Sequence, residues 1–209
     1  MATYKKGLHG PVSGRVGNLI ASSWRDQNYF RTRSSKPPKE PTAKQLQSRA
    51  KFKVVNTFLN LVNASVQLAF LHNQGRMTGR NAAQSYILTK AWKETPEGGV
   101  IDYPNVLISF GKLEPVSDAK IVSTPTGITI KWDKKSAKNE QMIIALIDTQ
   151  QEIAFESVAE VNRSEGEYTL TLSHTETEFN FHVYIGTISR DRKNASNSLY
   201  LNTIRYPAP

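Results

Sequence analysis

Cations and aromatic rings are interleaved in a short stretch near the N-terminus of this 209-residue chain. Guanidinium groups can hold phosphates while aromatic rings stack on bases, so the mixture is typical of a surface that binds nucleic acid. The same residue types are also the favoured anchors of protein–protein interfaces. We therefore predict an interaction surface formed by Trp24, Arg25, Tyr29, Phe30, Arg31 and Arg33.

The spacing of these residues indicates how a strand would present them. Successive side chains of a strand point to opposite faces of its sheet. Tyr29, Arg31 and Arg33 would therefore share one face, with Phe30 and Thr32 on the other.

The other side chains that catalysis or metal binding would use lack the spacing that these functions require. The four histidines (His9, His72, His174, His182) are scattered and form no metal-binding motif, so we expect them on the surface or on a sheet face. The acidic residues near the C-terminal strands sit at alternate or turn positions and show no paired-carboxylate cleft. The chain has no cysteine, which excludes a disulfide framework and a thiol nucleophile. We predict no catalytic, metal-binding or cofactor-binding residues, no small-molecule substrate and no enzymatic activity.

The glycines from Gly10 to Gly17 superficially resemble a phosphate-binding loop. That loop requires Gly-Lys-Ser/Thr after a buried strand, and both are missing from Gly10-Pro-Val-Ser-Gly-Arg-Val-Gly17. We interpret these glycines as positions where the backbone turns or passes close to another chain.

The excess positive charge is confined to the first quarter of the chain. Residues 1–53 carry twelve basic and two acidic side chains, and the remaining residues have a net charge of −1. We expect an acidic partner or another copy of the chain to contact this segment. Four of the cations (Lys44, Arg49, Lys51, Lys53) fall on a predicted helix, where they could equally form only its solvated side.

The chain shows no secretory signal and no membrane-spanning stretch. The two N-terminal lysines precede no apolar run of signal-peptide length, and the longest apolar run elsewhere is Met142 to Ile147. We therefore expect a cytoplasmic product with no membrane partner, which could be incorporated into a particle.

The pattern predicts an α+β protein in four segments. Residues 1–41 form a basic arm, with strands at 16–24 and 28–33 around a turn at 25–27, and a proline-rich spacer. Residues 42–99 form a helical hairpin: one helix runs from a capping box at Thr42-Ala-Lys-Gln45 to about residue 73, and a second covers about 81–93. Residues 100–117 form a connector, which we expect to be bonded to one of the two halves.

Within residues 118–209 the apolar residues recur with a period of two, which predicts a seven-stranded antiparallel β-sandwich. The predicted strands are 119–123, 127–132, 141–148, 153–158, 168–172, 179–189 and 198–202. With Trp132 on the second strand, and Leu172, Thr177 and Phe179 before the sixth, this region resembles a fibronectin type III or immunoglobulin-like sandwich. Phe179 stands where that family has a tyrosine, and it cannot make the hydroxyl bond of a tyrosine corner.

A second resemblance covers nearly the whole chain. The chain resembles an uncharacterised bacterial family, a domain of unknown function, and that resemblance implies no activity. It is carried by Gly10 to Asn18, Ser22-Ser-Trp24, Tyr29-x-Arg31, Pro41-Thr-x-x-Gln45, Arg49-x-x-Phe52, Asn81-Ala-Ala-x-Ser85-Tyr86 and Asp102-Tyr103 to Gly111. The order of these features is also similar to that in small phage structural proteins.

These observations favour a non-enzymatic structural or assembly protein, such as a phage-like particle component, whose arm docks on neighbouring subunits in a homo-oligomer or larger assembly. The first alternative is a nucleic-acid-binding protein that uses the basic aromatic arm. The second alternative is a surface adhesion or carbohydrate-binding module in the sandwich.

Overall fold

The structure is a computed structural model that describes residues 3–4, 12–24, 27–34, 39–71, 77–96, 98–124, 126–134, 139–172 and 177–206. Three α-helices and mostly antiparallel sheets lie within these residues, which confirms the α+β class. The chain divides into two compact units, which we call the N-terminal unit (residues 1–42) and the C-terminal unit (residues 43–209).

The described strands of the N-terminal unit form an antiparallel sheet in the order β1-β2-β3-β4. Its strands are β1 (Thr3–Tyr4), β2 (Val12–Val16), β3 (Leu19–Trp24) and β4 (Gln27–Thr32). Strands β3 and β4 form a hairpin close to the predicted one, while Arg25 and Asp26 of its turn lie outside the described residues. The first predicted strand is interrupted at Gly17, whose φ of 55° turns the chain back so that β2 pairs with β3.

The helical part contains α1 (Ala43–Leu61), α2 (Asn63–Ala69) and α3 (Gly79–Lys90). The single long helix predicted for residues 42–73 is therefore wrong in its length, since α1 ends one residue before Val62. Arg80 of α3 stabilises this end because its guanidinium donates to the carbonyl oxygens of Leu59 at 2.9 Å and Asn56 at 3.3 Å. Helix α3 begins earlier than predicted because Thr78 caps it, accepting from the Asn81 amide at 3.2 Å.

The described strands of the C-terminal unit form three antiparallel sheets. A two-stranded sheet pairs β5 (Trp92–Lys93) with β6 (Val100–Ile101). A three-stranded sheet has the order β11-β8-β7, and a four-stranded sheet has the order β10-β9-β12-β13. Their strands are β7 (Lys120–Thr124), β8 (Gly127–Lys131), β9 (Glu140–Asp148), β10 (Ile153–Asn162), β11 (Glu167–Thr171), β12 (Phe179–Ser189) and β13 (Leu199–Tyr206).

Strand β9 is buried on both faces, which explains why Met142 to Ile147 is the longest apolar run in the sequence. Met142, Ile144 and Leu146 pack in one apolar cluster with residues of the three-stranded sheet. Ile143, Ala145 and Ile147 pack in a second cluster with the helices. The four-stranded sheet is thus the central layer between the helices and the three-stranded sheet, and a central strand of this kind loses the usual apolar–polar alternation.

The connector after β6 bonds to both the helices and the sandwich, whereas the sequence predicted a bond to one half. On the helical side, the Phe110 amide donates to the Ala69 carbonyl and the Leu71 amide to the Phe110 carbonyl, each at 3.0 Å. On the other side, the Leu113 amide donates to the Ala195 carbonyl at 2.9 Å. Gly111 is required here, because a Cβ atom on it would lie 2.1 Å from the Ala195 carbonyl oxygen.

Candidate interaction surface

Strands β2, β3 and β4 form a sheet whose two faces differ in chemistry. Paired residues of an antiparallel ladder lie on the same face. The pairs Gly14↔Ala21, Val16↔Leu19, Ala21↔Phe30 and Leu19↔Thr32 define one face, and Arg15↔Ile20, Ile20↔Arg31, Ser22↔Tyr29 and Trp24↔Gln27 define the other. With Ser23 and Asn28, which also pair, the first set contains no charged residue.

We call the first set the apolar face; it comprises Gly14, Val16, Leu19, Ala21, Ser23, Asn28, Phe30 and Thr32. Its larger side chains are open to solvent in the single chain: Phe30 is 61% exposed, Val16 51% and Leu19 43%. Ala21 is the only buried apolar residue among those described in the N-terminal unit. A sheet with so little buried apolar area is only marginally stable in water, so we expect another protein surface to pack on this face.

We call the second set the basic face; it comprises Arg15, Ile20, Ser22, Trp24, Gln27, Tyr29 and Arg31. Arg15, Ile20 and Arg31 lie in one row across three strands, which separates the two arginine backbones by about 10 Å. Tyr29 lies one row away, and both it and Trp24 are about half exposed. Cations and flat rings thus share one exposed surface.

The structure separates the sequence-predicted interaction residues into two groups. Trp24, Tyr29 and Arg31 lie on the basic face, while Phe30 lies on the apolar face. Arg33 follows the end of β4, and its amide donates to the Asn18 carbonyl at 3.0 Å. Arg25 lies outside the described residues.

Sequence reasoning missed Arg15 as a member of the basic face, and Val16 and Leu19 as members of the apolar face. The glycine-rich segment that holds Arg15 and Val16 was interpreted as turns, so its pairing with β3 was not predicted. The signal was present as the alternation of small, apolar and basic residues on either side of Gly17 and Asn18, the two residues of a tight hairpin turn.

The four cations predicted on α1 differ in their surroundings. Lys44, Arg49 and Lys53 are exposed. The Lys51 ammonium instead lies 4.9 Å from the centre of the Trp92 ring and 3.3 Å from the Glu94 carboxylate. Lys51 therefore stabilises the packing of α1 near β5, and its charge is partly matched.

Two carboxylates of the central sheet, those of Glu156 and Glu140, make structural contacts. Glu156 accepts hydrogen bonds from the amides of Ala64 at 3.2 Å and Ser65 at 2.8 Å, at the start of α2. Glu140 pairs with the buried guanidinium of Arg163 at 2.5 Å. These carboxylates join the helices and turns to the central sheet.

His182 is the one histidine within the described residues, and it is partly buried on the helix-facing side of β12. Its ring stacks on Tyr103 with centroids 3.8 Å apart. Its Nδ1 atom lies 3.2 Å from the Tyr200 hydroxyl and 3.1 Å from the Thr203 hydroxyl. Burial lowers the pKa of His182, and the charge of Asp148 opposes this only in part, so the imidazole is neutral at pH 7.

A groove of the C-terminal unit has a volume of about 410 Å³ and runs along α1 beside Tyr103 and Thr149. Lys53 is the only charged residue among the described residues that line it. The hydroxyls of Tyr103 and Thr149 lie 3.1 Å apart and bond to each other. The groove therefore presents few polar groups to orient a substrate.

Among the residues that the structure describes, no three His, Asp or Glu side chains are grouped closely enough to hold a metal ion. None of the helices in this part of the chain is long and apolar enough to cross a membrane.

Residues 11–202 match a family described as a family of unknown function (DUF6266). No curated protein matches the chain, and no solved structure matches it.

Proposed function

The chain belongs to a family of unknown function, DUF6266, which assigns it no activity, and we propose that it is a non-enzymatic structural or assembly protein. In this proposal the N-terminal unit docks on neighbouring subunits. The C-terminal unit is the scaffold that carries it, and a phage-like particle is one assembly of this type.

The exposed apolar face of the N-terminal sheet is the observation that carries this proposal. Phe30, Val16 and Leu19 are about half exposed or more, and Ala21 alone is buried among the described apolar residues of the unit. Both large apolar clusters consist of residues from Val55 onward, and none of the described residues of the N-terminal unit belongs to them. The C-terminal unit can therefore fold on its own clusters, while the N-terminal sheet gains stability by docking.

The scaffold is proposed to be fibronectin type III-like. An apolar cluster shared by the three-stranded and four-stranded sheets supports this proposal; it contains the buried Trp132, whose Nε1 donates to the Arg163 carbonyl at 2.8 Å. Phe179 pairs in register with Tyr206, and the Tyr206 hydroxyl donates to the Leu172 carbonyl at 3.3 Å. A tyrosine of the last strand thus supplies a bond that Phe179 cannot make.

Co-purification of two differently tagged copies tests the proposal. When both copies are full-length, we expect that capturing one copy by its tag also retains the other copy, whose tag the resin does not bind. When both copies begin at Ala43, we expect no retention, with circular dichroism showing that the shortened chain keeps its strands and helices. Retention that is equal with and without residues 1–42, or absent for the full-length pair, contradicts the proposal.

Nucleic-acid binding is the second candidate function, and the basic face favours it. Arg15 and Arg31 lie in one row with Tyr29 beside them, an arrangement that can hold phosphates while a ring stacks on a base. Fluorescence anisotropy with a labelled single-stranded oligonucleotide tests it. The candidate predicts binding that weakens steeply as salt is raised, and binding that is absent or insensitive to salt removes it.

A further inference from the structure

We propose that the apolar face of the N-terminal sheet pairs with the same face of a second copy, around a two-fold axis parallel to β3. This inference rests on the proposed assembly function and deepens it, because it names both the partner and the surface. The basic faces of the two copies then point outward.

The charge pattern of the sheet favours a second copy as the occupant. The eight positions of the apolar face carry no charged side chain, whereas Arg15 and Arg31 both lie on the opposite face. An uncharged face cannot form ion pairs with a charged partner, but two copies of it can pack together without burying an unpaired charge. Pairing through this face also keeps like charges apart, because packed sheets lie about 10 Å from each other and the arginines project away from that interface.

The central row of the face is self-complementary. Gly14, Ala21 and Phe30 lie side by side on β2, β3 and β4, in the order no side chain, methyl group and phenyl ring. A two-fold axis along β3 places Phe30 of each copy opposite Gly14 of the other, and Ala21 opposite Ala21. Each phenyl ring then packs against a glycine that has no side chain. Both copies use the same surface, as an isologous interface requires.

The size of the face sets the expected strength of the contact. Three strands of five or six residues present a face of about 15 Å by 18 Å. This is below the roughly 800 Å² per partner of a standard protein interface. A single pairing therefore depends on concentration, and the co-purification of tagged copies is carried out at a high protein concentration that populates it.

Single cysteines provide the test, since the chain has none of its own. Ser22 and Ser23 are adjacent residues of the same type on opposite faces of β3: Ser23 pairs with Asn28 on the apolar face, and Ser22 pairs with Tyr29 on the basic face. The full-length variants Ser23→Cys and Ser22→Cys are treated with a short bismaleimide crosslinker. Labelling with a monofunctional maleimide measures how accessible each thiol is.

We expect Ser23→Cys to give at least about fivefold more crosslinked dimer than Ser22→Cys, because pairing raises the effective concentration of the Ser23 position. Equal crosslinking after correction for accessibility, or more from Ser22→Cys, overturns the pairing. If Ser23→Cys fails to crosslink while full-length copies still co-purify through residues 1–42, this inference is refuted and the assembly function stands. If co-purification also fails, both are refuted.

Discussion

Ala21 and Phe30 pair directly across the β3–β4 ladder, yet one is 4% exposed and the other 61%. The two residues lie on the same face, next to Gly14. A small buried residue beside a large exposed ring leaves the face uneven, and we infer that a second copy completes it.

Phe30 and Tyr29 form a matched pair of aromatic residues for testing this interface. Phe30→Ala removes the ring from the apolar face, so we expect self-association to weaken by about tenfold or more, from roughly 1–2 kcal/mol of lost apolar burial. Tyr29→Ala removes a ring from the basic face and should leave self-association unchanged. Sedimentation equilibrium over a concentration series measures both, and equal weakening by the two variants argues against the face assignment.

The arginines of the basic face give a prediction that separates the two candidate functions. Arg15→Gln combined with Arg31→Gln leaves the apolar face intact, so we expect co-purification of tagged copies to persist. If the basic face also binds single-stranded nucleic acid, the same variant should reduce the slope of log affinity against log salt by about 1.4, or about 0.7 per lost phosphate contact. An unchanged slope shows that these two cations do not contact phosphates.

The ion pair between Glu140 and Arg163 should matter for the stability of the C-terminal unit. The Arg163 side chain is 1% exposed, and Glu140→Gln leaves its charge without a matching carboxylate. We expect the free energy of unfolding to fall by about 3 kcal/mol, measured by urea denaturation. Glu167→Gln is the control, because its pair with Lys131 is exposed at 3.7 Å and should cost less than about 0.5 kcal/mol.

The hydroxyl of Tyr206 should contribute less to the free energy of unfolding than the ion pair between Glu140 and Arg163. Tyr206→Phe removes the 3.3 Å hydrogen bond to the Leu172 carbonyl and leaves the buried ring in place. We expect a loss of about 1 kcal/mol in urea denaturation. Tyr29→Phe removes an exposed hydroxyl and serves as the control; a loss no larger than this control shows that the Tyr206 bond adds no net stability.

His182 should make the stability of the C-terminal unit depend on pH. Burial holds its folded pKa below the ordinary value of 6.5, so the unfolded state binds more protons over the interval between the two values. Stability is therefore complete above about pH 6.5 and falls as the pH drops through that interval. His182→Gln should flatten this part of the curve of thermal midpoint against pH, and an equally steep curve rules out this role.

The fold class and the positions of most strands could be predicted because apolar periodicity is a local signal. The break between α1 and α2 could not, since Arg80 comes from a different helix to bind the end of α1. The role of Tyr206 also depends on a partner more than thirty residues away. Both cases depend on tertiary contacts that no window of sequence contains.

The candidate surface was predictable in part. Alternation along β4 places Tyr29 and Arg31 apart from Phe30, as the sequence predicts for a strand. The contributions of Gly14, Arg15 and Val16 depend on β2 folding back at Gly17, and glycine-rich sequences are compatible with several backbone paths. The apolar face therefore emerges only once the register of three strands is known.

The molar mass of the chain in solution, measured by light scattering over a concentration series, tests the central claim most directly. A monomer has a mass of 23.4 kDa. We predict that the mass of the full-length chain rises above this value with concentration, while the chain beginning at Ala43 keeps its own monomer mass throughout. A full-length chain that stays at 23.4 kDa at every concentration, or a shortened chain that associates equally, contradicts the account.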